Sequence, residues 1–257
     1  MTTQTFAASA ILLSAIPAIA GTTAPSLTNT GQLATTTPSW HCRVALYGWA
    51  TALDGDVTIR GNSVPVDASF SDILDKLDFA AMGAVEVGCG KWSLLADLFY
   101  AQLSGSNSRK DVYFESQLSQ FIGNFVVAYH VIDTTATRLD VYAGARVNSL
   151  DADLDINPRR IGAIHRSASK TWVDPIIGVR FQQDLSNKFF LRMVGDIGGF
   201  GVSSDFTWQT MAALGYRTND NGSVLLGYRG IGTDYSDGNF GYDVISHGLM
   251  LGFEYKF

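Results

Sequence analysis

The sequence predicts an all-β fold: a single closed antiparallel up-and-down transmembrane β-barrel of ten strands, with eight as the alternative if one short pair lies outside the membrane. Three observations carry this. Only 16% of the 257 residues are charged, against about 25% in ordinary soluble domains. Beyond residue 20 no run approaches the ~20 apolar residues that a membrane helix needs. Apolar residues instead recur at every second position, the period of a strand with two different faces.

The last segment shows the period most clearly. Ile245, His247, Leu249, Leu251, Phe253, Tyr255 and Phe257 alternate with Ser246, Gly248, Met250, Gly252, Glu254 and Lys256. Working back, Phe206, Trp208, Ala212, Leu214 and Tyr216 form one apolar face, and Asn219-Asp220-Asn221-Gly222 turns the chain towards Val224, Leu226 and Tyr228. The same alternation marks Val173–Phe181 and Phe189–Ile197 on either side of Asp184–Asn187, and Phe121–Tyr129 and Leu139–Val147 on either side of Asp133–Thr137. Phe79–Val87 and Trp92–Tyr100 flank Gly88-Cys89-Gly90. The first strand runs over about Arg43–Leu53, its facing left open because Leu46 and Tyr47 are both compatible with lipid.

A long strand that ends the chain on an aromatic residue resembles the C-terminal assembly signal of small bacterial outer-membrane β-barrel proteins. That resemblance implies a chain recognised by the barrel-assembly machinery through Phe253, Tyr255 and Phe257, and seated among outer-membrane lipid and lipopolysaccharide in a Gram-negative envelope. It covers about Trp40–Phe257 and selects no subfamily. An even strand count puts both termini on one side, expected to be periplasmic. Connections after strands two, four, six and eight are short. Those after strands one, five and nine (Asp54–Asp78, Asp151–Lys170, Gly232–Asp243) read as long external loops. Pro175 alone falls inside a strand, near the external rim.

Residues 1–42 contain no Lys, Arg, Asp or Glu, and Phe6–Ala20 is apolar and ends in small residues. Residues 1–20 therefore read as a signal peptide, 21–39 as a flexible Thr-rich leader and 40–257 as the barrel domain. The net charge of −6 offers no basic footprint for nucleic acid.

Alternation alone does not say which face is wet. The charges decide it, because an Arg facing lipid at mid-bilayer costs ~2–4 kcal/mol. Glu86, Asp97, Asp140, Arg146, Arg180, Arg192, Asp196, Arg217 and Arg229 all lie opposite the apolar residues. They are expected to form an ionic network that fills the lumen.

Other features are weaker. Cys42 and Cys89 fall at one rim and form a possible disulfide if the register brings their Cα atoms within ~4.4–6.8 Å; two unpaired thiols are the alternative. Asp151, Asp153, Asp155 and Asn157 read as a solvated acidic loop, since the Gly and distal Glu of a calcium loop are missing. Ser71–Leu77 reads as a short helix capped by Ser71, a lid in the mouth or a segment on the rim. His41 and His130 map to the periplasmic rim, His165 to an external loop and His247 to the lipid-side face. No spacing ties a nucleophile or carboxylate to His165, so no catalytic, cofactor or metal site is expected. The functional reading is a structural or surface-interaction role through the external loops. A narrow channel for small solutes and an outer-membrane hydrolase acting on lipid or peptide are the alternatives.

Overall fold

The computed structural model describes residues 40–109, 112–158 and 164–257. The signal and leader expected at 1–39 lie outside the described residues. Among the described residues eleven strands run β1 (Trp40–Ile59), β2 (Asn62–Ala68), β3 (Leu77–Cys89), β4 (Trp92–Arg109), β5 (Val112–Asp133), β6 (Thr137–Pro158), β7 (Ile164–Asp184), β8 (Phe189–Gly198), β9 (Ser204–Arg217), β10 (Gly222–Asp237) and β11 (Phe240–Lys256). Ten of them form the cylinder, each antiparallel to its neighbours, and β1 closes on β11 from Arg43–Lys256 to Ile59–Phe240. Closure removes the sheet edges that hydrocarbon could not hydrogen-bond.

The eleventh, β2, pairs only with the outer part of β1, over Leu53–Ile59. The same edge of β1 pairs with β3 over Trp40–Leu46. Between β2 and β3 lies the helix α1 (Phe70–Leu74), where the Ser69 side chain accepts from the Asp72 N–H and the Asp72 carboxylate accepts from the Ser69 N–H. This capping box corrects the expected cap: it is Ser69, not Ser71. No residue of α1 is buried, so the helix does not plug the mouth.

Both ends of the described chain lie at one end of the cylinder, where the Phe257 N–H donates to the Cys42 carbonyl at 2.8 Å. Four short turns share this turn end, between β3 and β4, β5 and β6, β7 and β8, and β9 and β10. Gly90, with φ +60°, makes the first of them. The opposite end is the loop end.

Much of what reads as loop at that end is strand. β5 and β6 are each 22 residues long and β7 is 21, whereas about 9–11 residues cross a bilayer. The excess continues the ladder past the apolar band, with Asp151 opposite Ser119 and Asp155 opposite Glu115. Gly232–Asp243 is likewise two strands joined at Gly238-Asn239. In β6 the outer part carries Asp151, Asp153 and Asp155 on one face and Leu150 and Ala152 on the other, and Leu150 packs against the cluster of Trp172, Tyr235 and Tyr242.

The outward face carries the apolar side chains. Leu46, Leu94, Leu226, Leu249 and Leu251 are all 58–69% exposed. On β4 the outward run from Trp92 to Tyr100 begins and ends on an aromatic ring. Trp92–Tyr129 and Phe189–Tyr216 pack at the turn end, at centroid distances of 4.8 and 5.2 Å, and Phe79–Tyr100 at the loop end at 6.0 Å. Aromatic girdles of this kind flank the apolar band of membrane barrels. On β1, Leu46 faces out and Tyr47 in, where its hydroxyl donates to Asp97.

Candidate functional site

The inward face of every barrel strand meets the others in a narrow lumen, and its polar residues assemble in layers. Nearest the turn end, Arg180 donates through both terminal nitrogens to the Glu86 carboxylate at 2.8 Å each, and through Nε to Asp140 at 2.7 Å. Asp140 also accepts from Arg138 Nε at 3.2 Å and bonds His130 Nδ1 at 2.5 Å. Arg192 grips Glu254 at 2.6 and 3.1 Å and Gln182 at 2.9 Å. Arg43 lies between Glu86 and Glu254, at 3.6 and 3.7 Å. Fork-to-carboxylate pairing satisfies several donors at once, which a buried guanidinium requires.

A cavity of about 160 Å³ separates this layer from the next. Beyond it, Arg229 donates to Asp97 at 2.6 Å, Gln209 at 2.7 Å and Tyr47 at 2.9 Å. Arg146, with no exposed surface, donates to Asp196 at 2.7 Å, Asn124 at 2.8 Å and Thr207 at 2.9 Å. Tyr142 completes Asp196 at 2.9 Å. Asp174, also fully buried, accepts from the backbone and hydroxyl of Ser204, both at 2.7 Å.

Aromatic packing covers the loop side of these ions. Trp49 meets Phe99 edge-on at 5.4 Å and lies under the Arg229 guanidinium at 5.1 Å. Trp172 stacks on Tyr235 at 4.4 Å and touches Tyr242 at 5.7 Å. Ions and rings therefore cross the lumen at successive heights.

Of the nine residues expected in the lumen, Glu86, Asp97, Asp140, Arg146, Arg180, Arg192, Asp196 and Arg229 meet there. Arg217 does not join them: it donates to Asp184 at 2.6 Å, partly exposed at the turn-end mouth, because it is the last residue of β9. Sequence reasoning missed Arg43, Tyr47, Asn124, His130, Arg138, Asp174 and Glu254. Most share the strand parity of the named charges, which was the available signal. The cysteines are free. Cys42 pairs with Val87 and Cys89 with Trp40, so the two are diagonal neighbours, a spacing of roughly 7–8 Å that exceeds what a disulfide spans.

His41 lies at the turn end beside Gly88, and His165 and His247 lie at the loop end. His247 bonds Tyr228 at 2.5 Å and Asp54 at 2.6 Å on the outer face. His165 faces Asp155 across the β6–β7 ladder at 2.8 Å, with Asp153 at 3.9 Å. The hydrogen bond to Asp155, then the charges of Asp155 and Asp153, raise the His165 pKa above the ordinary histidine value. The pairing is fully present at pH below that ordinary value and fades as pH rises through the raised one. An NMR titration is expected to show His165 titrating above free histidine, and Asp155→Asn to bring it back.

No protein-family model matches the chain, and no curated protein does. Among solved structures it is similar to the outer membrane protease OmpT from Escherichia coli, at 14% identity and a TM-score of 0.54, covering 89% of this chain and 100% of that one. Neisserial surface protein A is 13% identical with a TM-score of 0.35, covering 85% and 97%, and the transport unit of the autotransporter AIDA-I from Escherichia coli is 11% identical with a TM-score of 0.40, covering 90% and 93%. The fold is that of the outer-membrane β-barrel proteins.

Proposed function

We propose that this protein resides in the outer membrane of a Gram-negative bacterium, with its turn end and both termini periplasmic, and acts through its loop end as a surface-interaction or structural element. In this reading lipid and lipopolysaccharide surround the apolar band, and the assembly machinery reads the outward Phe253, Tyr255 and Phe257. One observation supports it best: buried ion pairs and stacked rings cross the lumen, while β5, β6 and β7 extend a polar sheet beyond the apolar band. A filled lumen disfavours solute passage, which leaves the exposed extension to meet partners.

The test has two parts. Detergent-folded protein should migrate differently on a gel before and after heating, as a cylinder that cold detergent does not unfold. Inserted into planar bilayers, with insertion verified by that assay, it should give no conductance steps. Reproducible steps that change in Arg146→Ala or Arg229→Ala would replace this reading with the narrow channel.

A further inference from the structure

We propose that Ser93, His130 and Asp140 form an acyl-transfer site at the turn end of the lumen, with Ser93 as nucleophile towards short-chain carboxylic esters. Three consecutive strands supply them. His130 on β5 is directly opposite Asp140 on β6, and Ser93 on β4 reaches the other side of the same ring. Asp140 Oδ1 is 2.5 Å from His130 Nδ1, and Ser93 Oγ is 3.3 Å from Nε2. The carboxylate holds a proton on Nδ1, and the Nε2 side of the ring is shared by the Ser93 hydroxyl and the nearer Arg138 Nη. Nucleophile, base and orienting acid in this relation define the triad by geometry, whatever the fold.

The surroundings supply what the chemistry needs. An Nη of Arg138 is 2.6 Å from His130 Nε2, which sets a permanent cation beside Ser93. On a bound ester that donor moves from Nε2 to the carbonyl oxygen, freeing the base and stabilising the oxyanion. Two further buried donors, His41 Nε2 and Arg43 Nε, have no hydrogen-bond partner. Gly88 lets His41 and Ser93 pack over its backbone: a Cβ there would lie 2.1 Å from the His41 ring and 2.8 Å from Ser93 Oγ.

Ser93 itself is fully buried, so the substrate class follows from the cavity one strand repeat further in. One strand repeat further in from Ser93 and His130 stand Leu95 and Ala128, which with Val126, Ile176, Leu225 and Met250 line the cavity of about 160 Å³. That volume suits a small apolar acyl group. Entry is from the turn end, where the Arg138 and His41 side chains remain 21% and 18% exposed.

In the reaction Ser93 Oγ bonds to the carbonyl carbon as its proton passes to His130 Nε2. Collapse of the tetrahedral adduct breaks the ester C–O bond, and the departing alcohol takes that proton. Water then gives a proton to Nε2 and attacks the acyl carbon, releasing a carboxylic acid and restoring Ser93. Ester and water become acid and alcohol.

The experiment uses the full chain folded in detergent, each variant first shown to keep its heat-modifiable mobility. A fluorophosphonate probe should label wild type on the peptide containing Ser93, and p-nitrophenyl butyrate should be hydrolysed. Ser93→Ala should abolish both, and His130→Gln should slow hydrolysis by about 100-fold or more. An unlabelled Ser93 in folded wild type, or hydrolysis equal in Ser93→Ala and wild type, would overturn the proposal. The surface reading is tested separately, because bilayer silence does not depend on Ser93.

Discussion

Arg146→Met is expected to destabilise the folded barrel by about 3–5 kcal/mol, the cost of leaving a buried charge without its partner. Arg146 is completely buried and is, among the described residues, the only cation bonded to Asp196, and its loss also strips donors from Asn124 and Thr207. Arg180→Met should cost less, because Glu86 keeps Arg43 and Arg138 at 3.6 Å and Asp140 keeps Arg138 and His130. Urea unfolding of vesicle-inserted protein measures the difference. Adding Asp196→Asn to Arg146→Met should recover part of the loss, since no lone buried charge then remains. A double variant as unstable as the sum of the two singles would contradict the coupling.

Leu251→Arg tests the other face. Leu251 is 59% exposed at the middle of the outward run of β11, so an Arg there should cost about 2–4 kcal/mol in a bilayer and lower the folded fraction on insertion. The same change at Val64, exposed on β2 outside the cylinder, should leave the folded fraction unchanged. Equal effects at the two sites would remove the lipid-facing assignment of β11.

The cylinder itself was legible because the apolar band imposes a two-residue period on each strand that crosses it. Ten strands follow from counting such runs, and their neighbours from the short turns. What the period could not show is where strands end in water. Asp151, Asp153 and Asp155 alternate as regularly as Leu249, Leu251 and Phe253, opposite Leu150, Ala152, Leu154 and Ile156, but a row of carboxylates on the second face read as a solvated loop. The capping residue of α1 was misplaced by two positions for a related reason: Ser69 and Ser71 are both acceptable caps, and only Ser69 has an acidic residue three positions on.

Parity along a strand was a guide to the lumen, with two blind spots. It does not give height, so Arg217 was grouped with Arg192 although one sits at the mouth and the other deeper in. It also does not give cross-strand register, which is why the approach of Ser93, His130 and Asp140 left no mark in the spacing. Register likewise separates Cys42 from Cys89 by one diagonal step.

The most direct test is a nitroxide at position 249, attached through Leu249→Cys after Cys42 and Cys89 are replaced by Ser, in protein inserted into lipid vesicles. Collisions with dissolved oxygen should far outnumber those with a water-soluble nickel chelate, as for a side chain among acyl tails. Dominant collisions with the chelate would mean that the leucine face of β11 meets water, and the membrane barrel would have to be abandoned.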